Sequence, residues 1–324
     1  MFKLISTKAL VLGFAAASAL PVAVYAQEWP TRPVQLVVVA GAGGGSDYTF
    51  RLMAAELERT LGQPFTVVNQ AQASGIVGYT AYKNAAPDGY TLGQLSPIAQ
   101  FSMLGQADFK ADDFTPIAQF NADPSAIHVA GDSQYQDLRS LVAAIKENPS
   151  AFNISCGGTC NASWDIPFVS MLLGEGVDVS QIKLIPAQGS GAALQELASG
   201  GIDIVLCSVP EVTSMADAGI VRTLAVMSAE RLPINDKIPT VEEAIGTPYI
   251  GGTWRGIAGP AGLDPAVVSK LEQAVATAVE SETFLQGMQN RGFGVTYLNS
   301  ADFTTFLGDH YKETEVVLKA LSGK

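Results

Sequence analysis

The sequence predicts an α/β fold in which mostly parallel sheets are flanked by helices. Apolar, β-branched runs such as residues 34–40 alternate with segments in which apolar residues recur at helical spacing. The connections between them are short, and several polar, glycine-rich connections come directly after a strand. Ligand-binding loops of parallel sheets lie at the carboxyl ends of the strands. With 324 residues, the chain is long enough for two domains or one large one.

The first 26 residues have the pattern of a secretory signal peptide. Lys3 and Lys8 precede an apolar run over residues 9–19, and Val24-Tyr25-Ala26 places small residues at a cleavage position. A membrane anchor is the alternative, but the run is shorter than a bilayer span. No later segment of the sequence has 18 unbroken apolar residues. We therefore expect an exported chain without direct membrane insertion.

The net charge excludes several classes of partner. The chain carries −12 overall, and without the two lysines of the predicted signal peptide it keeps 17 basic and 31 acidic residues, a net −14. Such a charge disfavours binding to nucleic acid and to anionic membrane surfaces. An anionic ligand would have to be held by local dipoles or single cations, because the field of the whole protein repels it.

Three cysteines and two histidines limit the metal and redox chemistry. In an oxidising compartment Cys156 and Cys160 could form a small disulfide and leave Cys207 free, the alternative being two reduced thiols. A metal site is not expected, because His128 and His310 have no ligand spacing relative to these cysteines. We interpret His128 as a buried structural histidine and His310 as a solvated residue of the C-terminal helix.

The first strand, loop and helix predict an anion site. A strand over residues 34–40 runs into a glycine-rich loop over 41–47, and Ser46 or Asp47 could cap the helix that Gly62 ends. The apolar residues on one face of that helix are Phe50, Met53, Ala54, Leu57 and Leu61. Unpaired N–H groups and the helix dipole would face the loop. Asp47 itself would repel a carboxylate, so its expected role is to hold the loop. The candidate ligand residues here are Gly43, Gly44, Gly45, Ser46 and Asp47.

Further strands and helices follow in alternation. Strands are predicted over residues 65–69, 91–95, 114–120, 125–130, 152–155, 182–186, 202–206 and 221–227. Helices are predicted over residues 138–145, 264–279 and 301–321. This alternation is the basis for the parallel sheets.

Several later loops supply further ligand candidates. The polar residues and glycines in these loops are Ser74, Gly75, Ser96, Gly157, Thr159, Asn161, Ser163, Gly189, Ser190, Gly191, Cys207 and Ser208. Structural turns and helix caps are the alternative for these residue types. Arg255 could pair with a carboxylate and Trp254 could stack on a ring, with a structural ion pair and core packing as the alternatives. No catalytic residue is expected.

A series of motifs points to one family. In chain order they are Trp29-Pro-Thr-Arg-Pro33, Gly43-Gly-Gly-Ser-Asp47, Leu61-Gly-Gln-Pro64, Pro87-Asp-Gly-Tyr-Thr-Leu92, Gly189-Ser-Gly191, Arg222-Thr-Leu-Ala-Val226, Ile238-Pro-Thr-Val-Glu242 and Trp254-Arg-Gly256. Each motif is weak alone, but their joint order and spacing are specific. Through them the sequence resembles the periplasmic substrate-binding proteins of tripartite tricarboxylate transporters, the TctC or Bug group. The resemblance covers essentially the whole chain after the predicted signal peptide.

The resemblance implies a two-lobed Venus-flytrap architecture of the periplasmic-binding-protein type. It places lobe 1 at residues 27–124 plus 229–324 and lobe 2 at residues 125–228, with crossings near 123–125 and 227–229 as the hinge. It also implies a monomer in the periplasm of a Gram-negative bacterium, without a cofactor. Such a receptor holds a di- or tricarboxylate or an aromatic carboxylate through backbone amides, hydroxyls and waters. It then delivers this small-molecule ligand to membrane transporter subunits.

Three departures from the family pattern concern the ligand rather than the fold. Cys156, Cys160 and Asn161 stand in a loop that is usually rich in glycine and serine. Cys207 stands where an aspartate is common, which argues against a ligand with a nearby amine. Residues 72–75 replace a more glycine-rich loop.

Two classes of enzyme and a second kind of receptor are the alternatives to this function. The pattern over residues 41–46 is close to the dinucleotide fingerprint, but its third glycine is absent and Asn69 stands where an acid would hold a ribose. A serine hydrolase is disfavoured because Ala187 and Ala192 replace the glycines of a nucleophile turn. A receptor that serves a sensor kinase instead of a transporter is a further alternative. We therefore expect a binding protein rather than an enzyme.

Overall fold

Two five-stranded sheets, each flanked by helices, organise the computed structural model. The structure describes residues 29–187 and 189–322, so the predicted signal peptide lies outside the described residues. The strands are β1 (Val34–Val38), β2 (Phe65–Asn69), β3 (Thr91–Leu95), β4 (Phe114–Pro124), β5 (Ala126–Ala130), β6 (Asn153–Ser155), β7 (Lys183–Ile185), β8 (Ile204–Cys207), β9 (Val221–Val226) and β10 (Gly252–Pro260). The helices are α1 (Gly45–Leu61), α2 (Ile76–Lys83), α3 (Ala99–Met103), α4 (Leu138–Glu147), α5 (Asp165–Gly174), α6 (Ser190–Ala198), α7 (Val209–Asp217), α8 (Val241–Ile245), α9 (Pro265–Glu280), α10 (Glu282–Asn290) and α11 (Ser300–Leu321).

One strand of each sheet runs against the others. The first sheet, in lobe 1, has the order β2-β1-β3-β10-β4, and β10 is antiparallel to both of its neighbours. The second sheet, in lobe 2, has the order β7-β6-β8-β5-β9, and β5 is antiparallel to both of its neighbours. The other neighbouring pairs are parallel. The prediction of mostly parallel sheets flanked by helices is confirmed, with one antiparallel strand added to each sheet.

The sequence does not predict β10, and its composition explains why. The strand contains three glycines and ends in Pro260, residue types that are depleted in strands. Its glycines are required by close packing, since a Cβ on Gly256 would collide with the ring of Phe303. From Thr253 onward every residue of β10 is buried between β3 and β4. Tertiary contacts rather than local preference therefore determine this strand.

Three passages of chain lie side by side between the two sheets. The N–H of Ser125 donates to the carbonyl of Gly251 (2.8 Å), that of Met227 to Ser125 (2.7 Å) and that of Gly251 to Met227 (3.0 Å). Beyond Met227 the chain stays with the second sheet, because α8 packs against α4 and β9. We therefore propose that lobe 2 extends over residues 125–251 rather than 125–228.

Helix α11 joins the cores of the two lobes. Phe303 and Leu307 are buried with the aromatic cluster of lobe 1, whereas Val317 and Leu318 are buried in the core of lobe 2. The helix predicted over 301–321 is confirmed to within one residue. Among the described residues, none of the helices combines the length and the apolar character that a bilayer crossing requires.

Candidate functional site

A cleft of about 520 Å³ lies between the lobes and is lined by loops from both. The predicted site residues that line it are Gly44, Gly45, Ser46, Ser74, Ser96, Gly157, Thr159, Ser163, Gly189, Ser190, Gly191 and Arg255. Most of them follow β1, β2 and β3 in lobe 1, or β6 and β7 in lobe 2. Loops that are far apart in sequence thus converge at the carboxyl ends of parallel strands.

Helix α1 begins at Gly45, with Gly44 as the N-cap residue and no side-chain cap. The prediction that Ser46 or Asp47 caps this helix is therefore wrong. The Asp47 carboxylate instead accepts a hydrogen bond from the N–H of Gly43 (2.8 Å) and so holds the loop. N–H groups in the first turn of a helix have no acceptor within it, which leaves those of Gly45 and Ser46 for a ligand.

Asp47 is held in its ionised form by its neighbours. Burial alone would raise its pKa, but hydrogen bonds from Arg51, Gly43 and Asn69 bring the pKa below the usual range. Arg51 Nε and Asn69 Nδ2 each lie 3.0 Å from Asp47 Oδ1. Asn69 Nδ2 also donates to the carbonyl of Ala40 (3.0 Å), so the end of β2 is tied to the glycine loop. The loop is therefore fixed before any ligand binds.

The hydroxyl of Ser46 is the point where three elements of lobe 1 meet. Its Oγ accepts hydrogen bonds from Arg255 Nε of β10 (3.0 Å) and from Gln94 Nε2 of β3 (3.1 Å). A hydroxyl oxygen has two lone pairs and one proton. Because both lone pairs of Ser46 are occupied, its proton is the group left for the cleft.

Arg255 is an ion-pair partner and a cleft residue at the same time. Its Nη1 lies 2.6 Å from Asp123 Oδ2 and also donates to Asn121 Oδ1. Its Nη2 lies against the start of α1, because a Cβ built on Gly45 would be 3.2 Å from it. The described residues provide no acceptor for this Nη2, although Arg255 is only 7% exposed. The structural ion pair weighed from the sequence is therefore present, and the pairing of Arg255 with a ligand carboxylate stays a prediction.

A disulfide joins the two ends of a loop on the lobe 2 side of the cleft. Cys156 and Cys160 form a disulfide, with Cα atoms 5.2 Å apart. Of the two alternatives that the sequence allows, the disulfide rather than a pair of reduced thiols is present. The three residues inside this ring, Gly157, Gly158 and Thr159, all line the cleft. The disulfide therefore restrains the part of the loop that would face a ligand.

Ser190 connects the two lobe 2 loops. Its Oγ donates to the carbonyl of Gly157 (3.3 Å), and the N–H of Ala187 donates to the carbonyl of Gly158 (2.9 Å). The hydroxyl proton of Ser190 is thus used within the protein. Its backbone N–H lies in the first turn of α6, where helices have no internal acceptor. Gly189, the N-cap residue, has a φ of 116°, which favours glycine at this position.

Asp165 holds a loop of lobe 2 by accepting backbone hydrogen bonds, as Asp47 does in lobe 1. Its carboxylate accepts hydrogen bonds from the N–H groups of Asn161 (2.6 Å) and Ala162 (3.0 Å) at the start of α5. Burial raises the pKa of Asp165 to about 6, although these N–H groups lower it. Asn161, with a φ of 61°, shapes this turn.

Seven predicted site residues lie outside the cleft lining: Gly43, Asp47, Gly75, Asn161, Cys207, Ser208 and Trp254. Cys207 is fully buried, and Ser208 forms a capping box with Glu211 at the start of α7. Trp254 is 3% exposed and packs edge-on against Phe303, so core packing explains it and ligand stacking does not. Apart from Trp254, these residues are predicted from their position in loops or at strand ends, which does not reveal side-chain direction.

Gly43 and Gly75 shape the loops rather than line the cleft. Both take positive φ, 82° and 91°, which favours glycine. A Cβ on Gly75 would lie 2.8 Å from the carbonyl oxygen of Val39. Their role is therefore to let the backbone turn closely behind the site.

The structure adds cleft residues that the sequence reasoning missed. They are Val39, Ala40, Gly41, Ala42, Tyr79, Gln94, Pro97, Gln100, Phe101, Gly158, Ala162, Trp164, Glu211 and Thr253. Tyr79 and Phe101, with ring centroids 6.0 Å apart, form part of an apolar wall. Gln94 carried a usable signal, since it is a polar residue inside a short apolar strand. Gln100 and Glu211 lie in helices with no such signal.

The two histidines are both partly or wholly withdrawn from solvent. His128 is fully buried and contacts Thr223 Oγ1 (2.9 Å) and the carbonyl of Cys207 (3.2 Å), as expected of a structural histidine. His310 lies against Trp254 and Phe306, and burial lowers its pKa to about 4, so the prediction of a solvated residue is wrong. Within the described residues, no group of three or more His, Cys, Asp or Glu side chains could hold a metal ion.

Comparisons with known proteins place this geometry in a family. The family model TctC, the tripartite tricarboxylate transporter family receptor, matches residues 49–322. The chain is 26% identical to BugT of Bordetella pertussis over 318 residues, which cover 96% of each protein. The structure is similar to that of a TctC solute binding protein from Polaromonas, with a TM-score of 0.73 and 30% identity over 90% of this chain and 99% of that one. It is also similar to R. palustris Rpa4515 with adipate, with a TM-score of 0.78 and 25% identity over 90% and 98%.

The family match covers most of the chain, and the similar structures share the arrangement of two sheets around a cleft. One of them is the periplasmic binding protein BugD, with a TM-score of 0.74 and 26% identity over 90% of this chain and 98% of that one. The chain therefore belongs to the TctC family of tripartite tricarboxylate transporter receptors, which are periplasmic solute-binding proteins and not enzymes.

Proposed function

We propose that this receptor captures a small carboxylated organic acid in the interlobe cleft and delivers it to the membrane subunits of a tripartite tricarboxylate transporter. One observation carries the proposal: helices α1 of lobe 1 and α6 of lobe 2 have their first residues in the lining of the same cleft. The N-terminus of a helix combines a partial positive charge with unpaired N–H groups. Two such ends, one from each lobe, favour an anionic group between them.

Side-chain donors reinforce the lobe 1 end of the cleft. Ser46 has its proton free, and Arg255 Nη2 has no acceptor among the described residues. Both adjoin the N–H groups of Gly45 and Ser46 at the start of α1. Hydrogen bonds from such donors to a charged acceptor are each worth roughly 1.5–3 kcal/mol. A carboxylate, with two oxygens and about four acceptor positions, matches this set of donors.

The charge of the lining favours a carboxylate over a nucleotide. Among the described residues that line the cleft, Arg255 and Glu211 are the charged side chains, and they have opposite signs. Arg255 is moreover paired with Asp123. A polyphosphate would therefore meet too little positive charge, whereas one or two carboxylates can be held by helix ends. The structural relative with adipate supports the same class of ligand.

Closure of the cleft provides the signal for the transporter. The hinge passages at Ser125, Met227 and Gly251 connect the lobes, and Thr253 Oγ1 contacts Ser163 Oγ across the cleft (3.2 Å). A ligand that binds both lobes favours the closed arrangement, which membrane subunits can distinguish from the open one. The predicted signal peptide supports export to the periplasm, and the family supports a transporter rather than a sensor kinase as the partner.

A thermal-shift screen tests the proposed function. Protein without its signal peptide is unfolded and refolded to remove bound ligand, then heated with mono-, di- and tricarboxylates, aromatic acids, amino acids and nucleotides. We expect stabilisation confined to one class of carboxylate, since ligand at a hundred times its dissociation constant adds about 2.7 kcal/mol. Stabilisation by nucleotides alone, or by no carboxylate, would contradict the proposal.

A further inference from the structure

The side-chain amide of Gln94 contacts two hydroxyls of the cleft. Its Nε2 donates to Ser46 Oγ (3.1 Å) and to Ser96 Oγ (3.3 Å), and all three residues line the cleft. Gln94 is 3% exposed, in the second half of β3, where burial of a polar side chain costs free energy unless the side chain is hydrogen-bonded. Its backbone carbonyl accepts from Tyr82 Oη (2.9 Å), so the strand is held in place behind it.

The hydroxyls of Ser46 and Ser96 have only their protons left for hydrogen bonds to a ligand. Ser46 Oγ already accepts from Arg255 Nε as well as from Gln94. Ser96 Oγ lies 2.5 Å from Tyr79 Oη, and Tyr79 is 2% exposed with no other acceptor for its proton among the described residues. Tyr79 therefore donates to Ser96, whose second lone pair is taken by Gln94. Each serine can then only donate to a ligand.

The opposite orientation of the amide is disfavoured. In the observed orientation one atom, Gln94 Oε1, lies buried without a partner. Reversal would put an NH₂ group with two donors at that position, and the two serines would turn their protons toward Gln94. The reversed amide would leave two N–H groups without acceptors, whereas the present orientation leaves one carbonyl oxygen without a donor. The reversed state costs more free energy, because buried N–H groups without acceptors are rarer in proteins than carbonyls without donors.

We infer that Gln94 is a positioning residue that leaves Ser46 and Ser96 able to donate hydrogen bonds to a ligand but not to accept them. The site would therefore select a fully ionised carboxylate over its neutral amide. This inference rests on the proposed function. A ligand amide would place its NH₂ group, a donor, against a serine hydroxyl that can also only donate. No hydrogen bond could form between these two donors. Sites with fixed hydrogen-bond direction reject such analogues strongly. Specificity here thus comes from a residue that need not touch the ligand.

The test uses a near-isosteric substitution of Gln94 that reverses the direction of the hydroxyl protons of Ser46 and Ser96. In Gln94→Glu at pH 8, a carboxylate accepts from both serines and turns their protons away from the ligand. Gln100→Glu is the matched control, because Gln100 is also buried in the cleft lining but its Nε2 donates to the carbonyl of Pro97 (3.2 Å) and to no hydroxyl. Calorimetry measures the affinity for adipate and adipamide, and for malate and malamide.

We expect the wild type to prefer one of these acids over its amide by about 100-fold or more. Gln94→Glu should remove most of this preference, whereas Gln100→Glu should weaken the binding of the acid and keep the larger part of the preference. Gln94→Met, which leaves the serines free to rotate, should reduce the preference about tenfold and serves if Gln94→Glu does not fold. Equal loss of preference in the two glutamate variants, or full preference in Gln94→Met, would overturn the inference. A wild type that binds neither acid nor any other carboxylate would overturn the proposed function itself, and the inference with it.

Discussion

Arg255 Nη1 lies 2.6 Å from Asp123 Oδ2, and this ion pair links the ligand cleft to the chain crossing between the lobes. Asp123 stands two residues before the hinge residue Ser125 and also accepts from the N–H of Gly294 (2.8 Å). Both side chains of the pair are less than a tenth exposed. A ligand that bound Arg255, as proposed above, would therefore be connected through Asp123 to the residues at the hinge.

Arg255→Lys should separate ligand binding from stability. A lysine can keep one charge near Asp123 but cannot at the same time donate to Ser46 and offer a free N–H to the cleft. We expect the affinity for the carboxylate found in the thermal-shift screen to fall at least tenfold, measured by calorimetry. Arg255→Ala should also destabilise the fold by about 3–5 kcal/mol in urea unfolding, because it leaves Asp123 buried without its partner. Unchanged affinity in Arg255→Lys would contradict a ligand role for this side chain.

The two serines at the helix starts should behave differently. Ser46→Ala removes a free proton from the cleft and should weaken carboxylate binding about tenfold or more, since a hydrogen bond to a charged acceptor is lost. Ser190→Ala removes the bond to the carbonyl of Gly157 and leaves the backbone N–H of α6 in place. Its effect on affinity should be several-fold smaller, with a modest loss of stability. Equal effects of the two variants in calorimetry would mean that the hydroxyl of Ser190 also serves the ligand.

Reduction of the disulfide should lower ligand affinity more than stability. Cys156 and Cys160 enclose three cleft-lining residues, so their bond restrains the loop before binding. Loop ordering on binding costs free energy that a pre-organised loop avoids. We expect a severalfold rise of the dissociation constant under reductant. The double variant Cys156→Ser/Cys160→Ser is the control, and it should bind weakly with or without reductant; a response of this variant to reductant would contradict the explanation.

Gly292 should be required for the lobes to approach each other. It has a φ of 69°, and a Cβ there would lie 2.9 Å from Pro210 Cγ and would also collide with Ile234, both of which belong to the proposed lobe 2. Gly292→Ala should hold the lobes apart and weaken binding. Gly262→Ala is a matched control, because Gly262 has a φ of 82° and open space around its Cα. Small-angle scattering with and without ligand should show closure in the control and reduced closure in Gly292→Ala.

Acidification should destabilise the protein through the buried His128 and the partly buried His310. Burial lowers the pKa of His128 to about 4 from a usual value of 6.5, and His310 is shifted in the same direction. Between pH 6.5 and about 4 the unfolded chain therefore binds protons that the folded protein does not, so stability falls as the pH falls through this window. Asp165 opposes this trend, because burial raises its pKa to about 6 and the folded state takes up its proton first.

Variants can assign these pH effects to individual groups. His128→Asn should flatten the fall in stability between pH 6.5 and 4.5, whereas Asp165→Asn should steepen it. Urea unfolding at intervals of half a pH unit measures both slopes. The same slope in wild type and His128→Asn would show that this imidazole is not the group responsible.

Local patterns predicted most of the individual elements but not all of their boundaries. Gly62 ends α1 in the left-handed conformation, as its position indicates, and the strand over 65–69 is found as predicted. Helix α1, in contrast, begins two or three residues earlier than a cap at Ser46 or Asp47 would give, because Asp47 bonds back to Gly43 instead of capping. A polar residue near a helix start is compatible with either arrangement, and only the loop geometry distinguishes them.

The candidate site could be predicted as a set of loops but not as a set of side chains. Gly45, Ser46 and Gly189 follow strands of parallel sheets and line the cleft as position suggests. Cys207 likewise stands at the end of strand β8 and Trp254 lies near the start of the antiparallel strand β10, but both side chains are buried. Side-chain direction depends on the twist and packing of neighbouring strands, which no local pattern records.

The alternation of strands and helices, the glycine-rich turns and the family resemblance can all be read from the sequence, because periodicity, backbone preference and motif order are local or additive properties of the chain. Long-range packing, in contrast, places β10 between β3 and β4, brings Arg255 to both Asp123 and Ser46, and brings the amide of Gln94 to the hydroxyl of Ser46. These relationships join residues more than 45 positions apart in most cases. Their free energy comes from burial and from hydrogen bonds that exist only when the whole fold has formed.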